Sequence, residues 1–345
     1  MMKKWVPMVS ACTIAALAVS LAGCGPGQEE GTEAYAPGGT APAQNRLQIE
    51  ASFYPMYEFA SRVAGDLADV HLLIPAGVEP HDWEPTPKDI AYIQQADMLV
   101  YNGAGMEGWV EQVLAGVDRH NLSVVEASKG LELMERSEDD EEQEAGHEPH
   151  NESEGHEEAH SHEHDHEHVH GELDPHVWLS PELAIQEVRR IEKALSEKAP
   201  LYQEAFAKNA DAYVAELKQL DADFRHALGN AKRKDFITQH AAFGFLAKSY
   251  GLTQIPIAGL SPEQEPSAAA MSEVIDFAKE HQVQTIFFET LVSSQVADTI
   301  ASELGAATAV LNPLEGLSEE DQANHLDYIA VMRLNLQALK KALNE

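Results

Sequence analysis

Four residues with metal-binding side chains lie at or just beyond the ends of short apolar runs. They are His81, His176, His240 and Glu289. Three imidazoles and one carboxylate suit a tetrahedral Zn²⁺ ion, with bonds of about 2.0 to 2.2 Å. No two of these residues are close enough in sequence to form a zinc finger, and none of the four belongs to an H-E-x-x-H motif. The sequence therefore predicts a zinc site that exists only where the fold brings separate segments together.

Each candidate has local features for and against a metal-binding role. Prolines and a glycine stiffen the loop around His81, although a lone surface histidine would look similar. Asp174 lies two residues before His176 and could fix its tautomer, unless Asp174 only begins a turn. His240 could instead be a buried histidine bonded to the backbone, and Glu289 could cap the next helix. These alternatives stay open at the level of single motifs.

The elements that must position these residues can be predicted from hydrophobic patterning. Apolar runs bounded by turn residues predict two sets of strands. The first set is Leu47-Phe53, Asp69-Ile74, Met98-Asn102 and Ser123-Glu126, and the second is Phe236-His240, Leu252-Ala258, Thr285-Glu289 and Ala307-Leu311. Helical stretches separate most neighbours, namely Met56-Ala64, Thr86-Gln95, Gly108-Ala115, Phe243-Tyr250, Met271-His281 and Val296-Leu304. This alternation predicts an α/β fold with two lobes, each built on a mainly parallel four-stranded sheet.

A long helical connection is predicted between the two lobes. Ser180-Pro181 has the composition of a helix N-terminus, with a capping serine and a proline in the first turn. After Pro200, apolar residues from Phe206 to Leu228 recur at spacings of three and four, which indicates one long amphipathic helix. We expect this helix to act as a rigid backbone with the site in the cleft between the lobes. Strand ends at a sheet edge are where such folds bind ligands.

The N-terminal residues indicate export and lipid anchoring. Lys3 and Lys4 precede an apolar run that closes at Cys24, as in bacterial lipoprotein signals. We predict a signal peptide at 1–23, acylation of Cys24 and a flexible tether at 24–45, which would place the protein on the outer face of a bacterial plasma membrane. An ordinary cleaved signal is the alternative. The other cysteine, Cys12, lies inside the predicted signal, so any metal site must use nitrogen and oxygen ligands.

The chain is strongly acidic, and one segment carries much of the charge. The formal net charge is −35, which excludes nucleic-acid binding and favours cations as partners. Residues 138–171 are rich in Glu, Asp and His with almost no aliphatic side chains, which is typical of a disordered loop. Its histidines are His147, His150, His156, His160, His162, His164, His166, His168 and His170. They predict an accessory metal-collecting role with little selectivity; an incidental solvated tract is the alternative.

Taken together, these motifs resemble those of the zinc- and manganese-binding lipoproteins of ABC importers, in particular the ZnuA-like zinc group. The similarity covers nearly the whole mature chain, in order, including the acidic histidine-rich loop. It is carried by Gly77-Val78-Glu79-Pro80-His81-Asp82-Trp83-Glu84-Pro85-Thr86-Pro87, Asp174-Pro175-His176-Val177-Trp178-Leu179-Ser180-Pro181, His240-Ala241-Ala242-Phe243-Gly244-Phe245 and Phe287-Phe288-Glu289.

The resemblance implies an N-terminal lobe at 46–180, a helical connection at 181–230 and a C-terminal lobe at 231–345. It also implies that His81, His176, His240 and Glu289 bind Zn²⁺, for delivery to a membrane permease driven by a cytoplasmic ATPase. In zinc-binding relatives the fourth position varies between a carboxylate, water and a loop histidine. Manganese is the less favoured cargo, since relatives that prefer it usually have a carboxylate at the position of His240. We expect a monomer without enzymatic activity.

Two other functions remain open from the sequence. A zinc hydrolase could use the same residues if Glu289 were a general base and one zinc position stayed open for water. A surface metal buffer or adhesin would work mainly through the histidine-rich loop.

Overall fold

The first half of the chain is built on a parallel sheet with helices packed against it. In this computed structural model the described residues are 46–134 and 173–345. The elements in chain order are β1 (Leu47–Ala51), α1 (Tyr54–Ala64), β2 (Ala68–Leu72), α2 (Pro87–Gln95), β3 (Met98–Tyr101), α3 (Val110–Gly116) and β4 (Ser123–Glu126). The strands pair in the order β2-β1-β3-β4, and every pairing is parallel.

The second half repeats this arrangement. Its elements are β5 (Asp235–Thr238), α6 (Gly244–Tyr250), β6 (Thr253–Pro256), α7 (Ala268–Glu280), β7 (Thr285–Phe288), α8 (Gln295–Leu304), β8 (Ala307–Val310), α9 (Glu319–Ala323) and α10 (Tyr328–Ala342). The strand order β6-β5-β7-β8 is again all parallel. The predicted α/β class and both sets of strands are therefore confirmed, whereas α9 and α10 were not predicted.

Two helices, α4 (Pro181–Lys198) and α5 (Gln203–Leu228), connect the halves. The hydroxyl of Ser180 accepts a hydrogen bond from the backbone N–H of Leu183, and Pro181 occupies the first turn, so the predicted helix start is confirmed. Helix α5 has 26 residues, a length of about 39 Å. It packs against α1 and α4 on the first half and against α6 and α10 on the second. One continuous helix therefore spans both halves.

Each sheet has its own apolar core, and aromatic side chains fill the space between the halves. Leu99 and Trp109 belong to the first core, and Ile237 and Ile286 to the second. Trp178 is fully buried, with its ring 4.8 Å from that of Phe53. Its indole N–H donates to the carbonyl of Pro313 at 2.8 Å, a contact between the two halves.

Several predicted features lie outside the described residues: the signal peptide, Cys24, the tether and the histidine-rich segment 138–171. Within residues 46–134 and 173–345, no helix combines the length and the apolar character needed to cross a membrane.

Candidate metal centre

Three histidines and one glutamate from four separate loops meet in the cleft between the two sheets. The imidazole Nε2 atoms of His81, His176 and His240 lie 3.3, 3.2 and 3.1 Å from Glu315 Oε1. The Nε2 atoms of His81 and His176 are 3.3 Å apart. Ligand atoms bound at about 2.05 Å in a tetrahedron are separated by about 3.3 Å, so these four separations fit a zinc ion. In the described part of the chain this is the one group of three or more His, Cys, Asp or Glu side chains compact enough to hold a metal.

Parallel strand ends explain how such distant residues converge. His240 and Glu315 follow β5 and β8 in the second sheet, and His81 lies in the loop between β2 and α2 of the first. The carboxyl ends of parallel strands lie at one edge of each sheet, and the two edges face each other across the cleft. His176 comes from the turn before α4, which closes the same cleft. The fold thus brings together the three histidines predicted from the sequence.

The structure places Glu289 behind His240 rather than in the group of four. Its Oε2 atom lies 2.6 Å from His240 Nδ1, and its Oε1 atom accepts the backbone N–H of His240 at 3.1 Å. A carboxylate in this position fixes the tautomer that leaves Nε2 free to bind a metal. The sequence predicted Glu289 as the fourth ligand, but the carboxylate within 3.3 Å of all three Nε2 atoms is that of Glu315.

Asp174 holds His176 in the way that Glu289 holds His240. Asp174 Oδ1 lies 2.8 Å from His176 Nδ1 and accepts the His176 backbone N–H at 2.9 Å. This is the orienting contact predicted from their spacing. His176 and His240 are fully buried, whereas the His81 side chain is 11% exposed. The backbone N–H of His81 donates to the Glu79 carboxylate at 3.0 and 3.1 Å, which shapes its loop.

The loop that carries Glu315 is fixed by buried hydrogen bonds. The Asn312 backbone N–H donates to Asn335 Oδ1 at 2.9 Å, and Asn335 Nδ2 donates back to the Asn312 carbonyl at 2.7 Å. Asn312 Oδ1 accepts the backbone N–H of Leu314, which has a left-handed φ of 59°. A non-glycine residue in the left-handed region costs conformational energy. It adopts this conformation only when the surrounding structure imposes it. After Glu315, the backbone carbonyl of Leu317 accepts a hydrogen bond of 3.1 Å from the backbone N–H of Gly77, which belongs to the first half.

The charges of the site shift the pKa values of His240, His176 and Glu315. Burial lowers the pKa of His240, but the negative charges of Glu289 and Glu315 outweigh it and raise that pKa to about 10. For His176, burial also acts downward, yet the hydrogen bonds to Asp174 and Glu315 raise its pKa. Burial raises the pKa of Glu315, but the surrounding imidazoles hold it well below its usual range. Without metal, the cleft thus holds a buried carboxylate neutralised by protonated histidine, and a cation must displace a proton to bind.

Comparison with known proteins agrees with this geometry. The family model for the zinc-uptake complex component A, periplasmic, matches residues 49–342. The high-affinity zinc uptake system protein ZnuA of Bacillus subtilis is 48% identical over 343 residues, covering 99% of each chain. The zinc-binding lipoprotein AdcA of Streptococcus pneumoniae is 43% identical over 88% of this chain, which spans 57% of AdcA.

A solved structure gives the same result for the fold. The Zn(II)-bound ZnuA-like domain of Streptococcus pneumoniae AdcA superposes with a TM-score of 0.70 and is 42% identical, covering 87% of this chain and 100% of that domain.

Proposed function

Because the chain belongs to the ZnuA family of zinc-uptake components, we propose that it captures Zn²⁺ outside the cytoplasm and delivers it to an ABC-type importer. The observation that carries this proposal is the convergence of three imidazole Nε2 atoms on one carboxylate oxygen in a buried cleft. Zinc is the cargo of the protein. Its partners on this proposal are a membrane permease and the ATPase that drives it.

The proposed ligands are His81, His176, His240 and Glu315. Glu315 replaces Glu289 in this set because its oxygen lies within 3.3 Å of all three Nε2 atoms, whereas the Glu289 carboxylate faces Nδ1 of His240. Both Asp174 and Glu289 then act by orienting a ligand.

The donor chemistry supports zinc over manganese. Imidazole nitrogen suits Zn²⁺, while Mn²⁺ favours carboxylate, carbonyl and water oxygens in octahedral geometry. Three nitrogens and one carboxylate give a compact four-ligand shell. A closed shell of this kind leaves no position for a reactive water, so we also propose that the protein is not an enzyme.

The same proposal extends to location and organisation. Acylation at Cys24 and the tether at 24–45 would hold the body near the permease as a monomer. The two lobes would comprise 46–180 and 231–345, joined by the helices of 181–230. Segment 138–171 would collect metal as an accessory to the cleft site.

The test is zinc and manganese binding by the full chain, in competition with a chelator strong enough to leave weak sites empty. Glu315→Gln and Glu289→Gln form a matched pair, since each exchanges a buried carboxylate in the cleft for an amide. We expect one tight zinc site, a preference for zinc over manganese, and a larger loss for Glu315→Gln because it weakens a metal ligand. Zinc binding that survives both His240→Ala and Glu315→Gln would contradict the cleft site.

Growth under zinc limitation tests the transport role. A strain lacking the protein should not be rescued by the His240→Ala variant. It should be rescued partly by a full-length variant in which the histidines of 138–171 are replaced by serine. The reverse order of rescue would favour a surface metal buffer.

A further inference from the structure

A buried polar network lies at the carboxyl ends of β1 and β3, outside the group of proposed ligands. Glu107 Oε1 accepts the hydroxyl of Ser52 at 2.6 Å and the backbone N–H of Asn102 at 2.8 Å. Glu107 Oε2 accepts the backbone N–H of Gly103 at 3.0 Å. Ser52, Asn102 and Glu107 are all buried. A carboxylate that receives several hydrogen bonds inside a protein fixes the backbone that donates them.

The chain conformation at this point is unusual and depends on the network. Gly103 has a φ of +85°, and a Cβ atom there would lie 2.6 Å from the side chain of Glu126. Only glycine adopts this positive φ readily and leaves room for the side chain of Glu126. The Asn102 side chain, which precedes this glycine, is fully buried.

The Asn102 side chain reaches the turn that contains His176. Asn102 Nδ2 donates to the carbonyl of Pro175 at 2.9 Å and to the carbonyl of Gly103 at the same distance. The Pro175 carbonyl also accepts the backbone N–H of Val177 at 2.8 Å, closing a tight turn over His176, whose φ and ψ are −80° and 41°. Asn102 thus holds the backbone of this turn from the side of the first sheet, while Asp174 holds the imidazole ring.

We propose that Asn102 and Glu107 are positioning residues for the metal site, which fix the turn of His176 so that its Nε2 atom meets the other three donors. This inference rests on the proposed zinc function. It assigns a role to the segment between β3 and α3, whose described hydrogen bonds do not reach a proposed ligand. Asn102 acts through the Pro175 carbonyl, and Glu107 acts through the backbone of Asn102 and Gly103.

The test compares the zinc affinity of Asn102→Ala and Glu107→Gln with that of the wild type, in the full chain and below its unfolding temperature. In Glu107→Gln the amide must direct N–H toward at least one group that now donates to it, so the network cannot stay intact. We expect each variant to bind zinc about 10 to 100 times more weakly, the range typical of residues that orient metal ligands.

Glu187→Gln is the matched control. Glu187 is fully buried in α4, and neither of its carboxylate oxygens has a hydrogen-bond partner among the described residues. The substitution is therefore the same Glu-to-Gln exchange as Glu107→Gln, at similar burial, but it removes no described hydrogen bond. Its zinc affinity should equal that of the wild type.

A double-mutant cycle separates positioning from a general loss of stability. Asn102→Ala and Asp174→Asn both loosen His176. The double variant should therefore lose less zinc affinity than the product of the fold-losses of the two single variants. Asn102→Ala and Glu289→Gln act on different histidines, so their factors should multiply.

His176→Ala distinguishes failure of this inference from failure of the proposed function. If His176→Ala loses tight zinc while Asn102→Ala and Glu107→Gln keep wild-type affinity, the positioning role is overturned and the zinc site stands. If His176→Ala itself binds zinc like the wild type, the proposed function fails. Should either network variant not fold, the affinity of the other one decides.

Discussion

Zinc binding in the cleft should tighten steeply as the pH rises from about 7.5 to about 9.5. In the metal-free protein the pKa of His240 is raised to about 10, so its imidazole carries a proton across this range. Zinc binds only the neutral form, and the ion must displace that proton. At pH 7.5 the displacement costs about 3 kcal/mol, from 1.36 kcal/mol for each of about 2.5 pH units, and the cost falls below about 1 kcal/mol at pH 9.5. We therefore expect affinity to rise about tenfold per pH unit, or about 100-fold over the range.

Chelator competition in the full chain measures this slope, with correction for the known proton affinity of the chelator. An imidazole of ordinary pKa, about 6.5, is already neutral above pH 7.5, so binding to such groups contributes no slope. Calorimetry in buffers of different ionisation enthalpy should show at least one proton released per zinc bound. Glu289→Gln removes the largest charge that raises the pKa of His240, so its slope should flatten. Glu320→Gln, an exposed position in α9, should keep the wild-type slope.

A tight zinc site whose affinity stays constant over this range would refute the reasoning. It would mean that His240 is neutral before metal arrives, and that Glu289 and Glu315 do not outweigh the cost of burying its charge.

Three further substitutions test other parts of the structure. Trp178→Phe leaves the buried carbonyl of Pro313 without its donor, so urea unfolding of the metal-free protein should show a loss of about 1 to 3 kcal/mol. Glu187 is buried, its carboxylate has no hydrogen-bond partner among the described residues, and burial raises its pKa well above 4.5. Its contribution to stability is fully present below pH 4.5 and is lost as the pH rises toward the folded-state pKa. Glu187→Gln should remove this loss, so its advantage in thermal unfolding should grow with pH, and a constant difference would contradict it. In Gly244→Ala the new Cβ atom would lie 2.8 Å from Asp174 Oδ2. Because Asp174 orients His176, zinc affinity should fall about tenfold. Unchanged affinity would show that Asp174 can move without disturbing His176.

Much of the fold could be predicted from local patterning because each strand is a short apolar run followed by a turn. All of the predicted strands overlap the observed ones, although most end one or two residues earlier than expected. For example, the run predicted at Phe236-His240 is a strand only at Asp235–Thr238. His240 lies beyond that strand, in the loop where it can turn toward the cleft.

The histidines could be predicted because each lies in a distinctive loop, but the fourth ligand position could not. Glu289 was predicted as the fourth ligand, but its carboxylate faces Nδ1 of His240. The sequence does not reveal which imidazole nitrogen a neighbouring carboxylate faces. Glu315 lies in a loop that contains no histidine and a single proline, Pro313. A signal was available, since residues 312–317 follow β8 at the same edge of the second sheet as His240 and Glu289. The network of Asn102 and Glu107 depends on contacts across the fold and has no local signature.

The proposed ligands are spread over more than two hundred residues, from His81 to Glu315. An unfolded chain cannot hold them together, so the cleft site appears only when both halves have folded and docked. A polypeptide that crosses a membrane unfolded would therefore leave the cytoplasm without zinc in this site. Its export would not remove zinc from the cytoplasm through the cleft ligands. The histidines of 138–171 differ in this respect, because their spacing is short enough for them to bind metal before the chain has folded.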